Sequence, residues 1–112
     1  MKHGIYIICI SLLIVSCGRQ QQAKSVVKDF MKEQLQKDVS YIDFSDVDST
    51  HAFTDSLILR LRQQGLQGVT YHEYRGRTLL HIRAKYLEGQ DSCSTTFYLD
   101  PEIQGVVVYK DN

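Results

Sequence analysis

Residues 77–87, RTLLHIRAKYL, and residues 92–99, SCSTTFYL, are joined by Glu88-Gly89-Gln90-Asp91, and how they pair decides the fold. Both alternate apolar and polar side chains, the period of a strand with one buried face. A four-residue loop at 88–91 sets Ile82 opposite Phe97 and Leu80 opposite Leu99. Working outward, 69–74 reads as a further strand. A two-residue turn at Arg75-Gly76 would set Tyr71 opposite Leu80 and Val69 opposite Ile82. The two turns are independent, yet together they sort the side chains cleanly. One face collects Val69, Tyr71, Leu80, Ile82, Ala84, Tyr86, Cys93, Phe97 and Leu99. The other collects His72, Tyr74, Arg77, Leu79, His81, Arg83, Lys85, Thr96 and Tyr98. A loop at 100–105 leads to a last strand at 106–110, apolar on both sides. The expectation is a four-stranded antiparallel meander.

Upstream, Ala23, Val26, Val27, Phe30, Met31 and Leu35 recur at steps of three and four, the stripe of an amphipathic helix over 21–37. Tyr41-Ile42-Asp43-Phe44 alternates briefly as a short strand, and 45–50 is polar. A second helix is expected over 53–64 on Phe53, Leu57, Ile58 and Leu61, capped by Thr54 or Thr50 and stopped by Gly65. Leu59 leaves a strand at 56–61 open as an alternative. A helix with one apolar stripe and a sheet with one apolar face need each other. The fold class is therefore α+β: an N-terminal helix and a shorter second helix packed on the meander.

The start of the chain is of another kind. Lys2 and His3 precede Ile5–Val15, a mostly apolar run. It is too short for the roughly 20 residues that cross a hydrocarbon core of about 30 Å, and it fits the core of a secretory signal. Ile14-Val15-Ser16-Cys17 resembles a bacterial lipobox. That resemblance implies cleavage before Cys17, with the small Ser16 admitting the peptidase, and alkylation of the Cys17 thiol with diacylglycerol. Residues 1–16 would then be a signal peptide, 17–22 the lipidated cysteine and a polar tether, and 23–112 a single domain. Several acyl chains, at about 0.8 kcal/mol per buried CH₂, hold a protein at a membrane almost permanently.

Lipobox, tether, the helix AKSVVKDFMKEQL, the segment SYIDF and then strands together resemble small Bacteroidota lipoproteins of unknown function. The order of elements resembles cystatin-like and NTF2-like domains, in which an antiparallel sheet wraps a long N-terminal helix. The resemblance implies a cell-envelope location. Some of these lipoproteins carry an acidic run after the cysteine for display outside the cell. Gly18-Arg19-Gln20-Gln21-Gln22 has none, which favours the outer membrane facing the periplasm.

Lys+Arg and Asp+Glu are 13 each, so charge gives no push toward nucleic acid or an anionic bilayer. Once Cys9 is discarded and Cys17 acylated, Cys93 cannot form an intramolecular disulfide. It is expected to face the core beside Tyr86 as an inert thiol, an intermolecular disulfide being the alternative. His72 and His81 would be diagonal neighbours on the polar face, but Arg77, Arg83 and Lys85 crowd them with positive charge. No metal and no cofactor are expected. His51 with Asp48 or Asp55 could pair as base and orienter, but no nucleophile accompanies them, and Asp, Ser and Thr are common where a helix begins. The residues of interest are His72, Tyr74, His81, Arg83, Lys85 and Tyr98, aromatics beside cations that suit a protein, peptide or envelope component. A non-enzymatic binding module is the first expectation. The alternative is an NTF2-like pocket protein that binds or processes a small ligand between helix and sheet, in a cavity lined by Phe30, Met31, Tyr71 and Tyr86. A third is an assembly in which the last strand pairs with a neighbour's edge.

Overall fold

A computed structural model describes the backbone of residues 2–50, 54–74 and 78–112, and the side chains of the same residues from 18 onward. The Cys17 thiol, His51, Phe53, the Arg75-Gly76 turn and Arg77 lie outside the described residues. The chain is α+β. The described residues form α1 (Lys2–Glu33), β1 (Ser40–Phe44), β2 (Asp48–Thr50), α2 (Asp55–Gln64), β3 (Leu79–Glu88), β4 (Asp91–Leu99) and β5 (Val106–Asp111).

The central hairpin has the expected register, Leu80 opposite Leu99 and Ile82 opposite Phe97. Pairing runs one residue further than expected, to Glu88 and Asp91, so the turn is only Gly89-Gln90. Gly89 has φ 65°, a conformation that glycine adopts without steric cost, and it stands at the first central position, where a type II′ turn takes glycine. β5 pairs antiparallel with β4, with a register shift between Tyr98 and Leu99. Val107 is the extra residue. It and Val108 both pack with α2, while Val106 and Tyr109 belong to the α1 side.

The sheet has five strands in the order β1-β3-β4-β5, with β2 also on β3, not four in a meander. β1 pairs with residues 84–87 and β2 with residues 79–81, so the two form one interrupted strand along β3. That edge was expected to belong to 69–74, which forms no strand. The alternation there is sound, since Val69 and Tyr71 pack on the core. The partner differs. The segment lies beside β5, where His72 N–H donates to Val106 O at 2.7 Å. A longer ladder is blocked because Arg62 takes the neighbouring acceptors, its Nε donating to Val107 O (2.9 Å) and Nη2 to His72 O (2.8 Å). The same bonds occupy the Val106–Val107 end of the β5 edge, the strand that the third alternative would pair with a neighbour. In β1 the alternation is broken by a bulge at Ile42, which turns Tyr41 and Phe44 to the same side with rings stacked at 5.3 Å.

α1 lays Ala23, Val27, Phe30, Met31 and Leu35 on the inner face of the sheet, as its spacing predicts. Phe30 is the hub, with ring centroids 5.8–6.1 Å from Tyr71, Phe97 and Tyr109. Gln36, at φ 54°, ends the helical path. α2 is a helix rather than a strand: Thr54 Oγ1 accepts from Leu57 N at 3.2 Å, and Gly65 follows the last turn. Its Ile58 and Leu61 pack on Leu79, Val107 and Val108, on the face opposite α1. The sheet is thus covered on both sides at the β5 end, which is why the last strand is apolar in both directions. Cys93 pairs across from Tyr86 and is partly buried against the core.

The expected tether is not free chain. Residues 17–22 continue α1, and two of their side chains dock on the domain. Gln20 Nε2 donates to Ser45 O (2.9 Å) while its Oε1 accepts from Val47 N (3.0 Å), and Gln22 Nε2 donates to Ile103 O (3.1 Å).

Candidate functional site

The loop between β4 and β5 is built around Asp100. Its carbonyl accepts from Ile103 N at 3.0 Å, closing a turn with Pro101 at the position that its fixed φ suits. Its Oδ1 accepts from both Gln104 N (2.8 Å) and Gly105 N (2.9 Å). This geometry drives Ile103 to φ 56°, uncommon for a β-branched residue. The side chain compensates, since Ile103 is buried under α1.

The second carboxylate oxygen of the buried Asp100 lies 3.8 Å from His72 Nε2. His72 is held at its backbone and on one side of its ring. Its N–H and C=O are bonded to Val106 and Arg62, and its ring lies on Gly105, where an added Cβ would come within 2.9 Å of the His72 Cβ and 3.1 Å of Nδ1. Only glycine allows that approach. Together with Tyr74, Glu73, Glu102 and Gln104 this pair borders an open cleft of about 360 Å³, with Leu79 and Val107 as its apolar wall.

The arrangement differs from that of a hydrolytic triad. In a hydrolytic triad the ring nitrogen away from the carboxylate faces a nucleophile. Here the Nδ1 side of the ring packs on Gly105, and no Ser, Thr or Cys lines the cleft among the described residues. Among those residues, too, no three His, Cys, Asp or Glu side chains converge as a metal site, and no helix is long and apolar enough to cross a membrane.

The six candidate binding residues of the expected polar face fall in two places. His72 and Tyr74 are in the cleft, and Tyr74 also packs beside α2. His81, Arg83, Lys85 and Tyr98 remain together on the sheet. His81 stands opposite Tyr98, with rings 6.3 Å apart, and Arg83, Thr96 and Lys110 form one row across three strands. The diagonal His72–His81 pair does not exist, because 69–74 is not beside β3. α2 covers one end of this face, and Arg83, Lys85 and Lys110 stay exposed beyond it. Asp43, opposite Lys85, has its Oδ1 turned to Phe44 N (2.9 Å). Burial pushes the Tyr98 phenol above its ordinary pKa.

Phe30, Met31 and Tyr86 are buried in the layer between α1 and the sheet. Tyr86 is bonded at 2.7 Å to the buried Thr95 hydroxyl, which in turn donates to Asp111 Oδ1 at 2.9 Å. Phe30 and Tyr71 also line a shallow groove on the α1 side with Gln104 and Gly105. The Tyr71 hydroxyl is buried with no hydrogen-bond partner among the described residues. Its pKa is pushed up to about 12, first by burial and then by the Tyr109 phenol, against the Arg62 guanidinium 4.9 Å over its ring.

Asp100 was missed in the sequence. Asp-Pro reads there as turn chemistry, which it is, and nothing in the spacing ties it to His72. The chain matches no family model, no curated protein and no solved structure.

Proposed function

We propose that this protein is a lipid-anchored lipoprotein of a bacterial envelope, held at the outer membrane facing the periplasm, whose domain binds another envelope component without catalysing a reaction. Ile14-Val15-Ser16-Cys17 at the end of an apolar run carries the anchor. The open part of the outer sheet face supports the binding role: exposed Arg83, Lys85 and Lys110 beside the half-buried rings of His81 and Tyr98 offer charge and amphipathic aromatic surface together. Labelling cells with palmitate is expected to mark the wild-type protein and not Cys17→Ser. An unmodified, full-length N-terminus on the native protein would overturn the reading. Crosslinking in the same cells should attach a partner to the wild type and lose it in the Arg83→Ala, Tyr98→Ala double variant.

A second reading rests on the His72–Asp100 cleft. An N-terminal helix laid over an antiparallel sheet is the arrangement of cystatin-like and NTF2-like domains, and a small ligand with hydrogen-bond donors would find Glu73, Glu102 and the buried Asp100 around one opening. The packing of His72 on Gly105 supports a binding role for this cleft over a hydrolytic one.

A further inference from the structure

We infer that the anchor seats this domain directly on the lipid headgroups in one orientation, with the Ser45–Val47 and Pro101–Gln104 loops toward the bilayer. The inference rests on acylation of Cys17 as proposed above, and it adds what the acylated protein touches. Only Gly18 and Arg19 separate Cys17 from Gln20, the first residue seen bonded to the domain, so the link is three residue steps long. Even fully extended, three residues reach only about 11 Å. The headgroup layer on each side of the hydrocarbon core is itself about 5–8 Å thick. A domain tied so short cannot stand clear of the membrane.

Two bonds on different parts of the fold set the orientation. Gln20 grips the break between β1 and β2, and Gln22 grips the loop between β4 and β5. Both loops are therefore level with the first turn after the anchor. The other end of α1 points away, since Lys37 lies 3.8 Å from Glu88, next to the Gly89-Gln90 turn. That turn ends β3, whose 10 residues span roughly 33 Å. The surface presented to lipid suits headgroups and not acyl chains. Asp46, Glu102 and Gln104 are exposed there, while the exposed large apolar residues, Ile42, Leu59, Leu66 and Leu87, lie in other segments. Arg19 against Asp46 and Glu102 leaves no excess of positive charge, so a zwitterionic bilayer is the partner that fits.

The chain has no tryptophan, so a single one can report position. Asp46→Trp, Glu102→Trp and Gln90→Trp are each made at an exposed site in the full-length gene, and the membrane-purified proteins are checked for acylation by mass. In phosphatidylcholine vesicles carrying a headgroup nitroxide, fluorescence should be lost at positions 46 and 102 and kept at 90. Inserting about 12 Gly/Ser residues between Gly18 and Arg19, with a reach of roughly 20 Å, should remove the difference. Equal quenching at all three positions in acylated protein, or a difference that survives the insertion, overturns the orientation while leaving the anchor intact. A mass showing unmodified Cys17 overturns the anchor, and this inference with it.

Discussion

Ile103 combines two opposed contributions in one residue. A left-handed backbone costs a β-branched residue roughly 1–2 kcal/mol, while deleting a buried isoleucine side chain costs roughly 2–5 kcal/mol. Ile103→Gly gives up the side chain but relieves the backbone, for a net loss of about 0–4 kcal/mol. Ile103→Ala loses the side chain and keeps the strain, so alanine should be the worse substitution. Urea midpoints of the two variants test this, and an alanine variant more stable than the glycine one would refute it. Tyr71 makes a prediction in pH. Its phenol holds its proton more tightly in the folded chain than in the unfolded one, with a pKa of about 12 against the ordinary 10.0. The stability it contributes is whole below pH 10 and is lost as pH rises through about 12. Tyr71→Phe should flatten the decline across that window. At neutral pH it should cost little, because the hydroxyl has no partner among the described residues.

At the scale of elements, Arg62 does what a strand would otherwise do. Its guanidinium joins α2 to β5 and to the segment before β3, and it stacks on Tyr71. Arg62→Ala should cost about 2–3 kcal/mol, the worth of charge-assisted bonds to two carbonyls. Arg62→Lys should recover little of it, since an ammonium cannot reproduce the planar fork. Denaturant unfolding of the two variants measures both. The pairing of Leu80 with Leu99 and Ile82 with Phe97 was legible because a short turn leaves few registers and only one of them separates apolar from polar. The period-two pattern of 69–74 was legible too, and its side chains face as it says. Which edge the segment would occupy was not legible. Alternation names a face but not a neighbour, and the neighbour was decided by 48–50, three polar residues with no strand signal.

For the whole molecule, the candidate site was half legible for a similar reason. Arg83, Lys85, His81 and Tyr98 share a face by register alone. The cleft depends on a path that brings His72 round the β5 edge to Asp100, and each of those residues alone reads as surface or turn. Glutamines look like linker by composition, and nothing in the spacing says that the amides of Gln20 and Gln22 bond to the domain. Both margins of the sheet are blunt. One is interrupted by the Ile42 bulge and the gap at 45–47, and the other carries a guanidinium and a crossing segment at Val106 and Val107. Proteins confined to a plane collide with copies of themselves far more often than proteins free in three dimensions, and unguarded strands in that setting would zip into ribbons. On the anchor proposed above, a sheet interrupted at 45–47 on one margin and occupied at Val106 and Val107 on the other gives crowded copies few places to zip together.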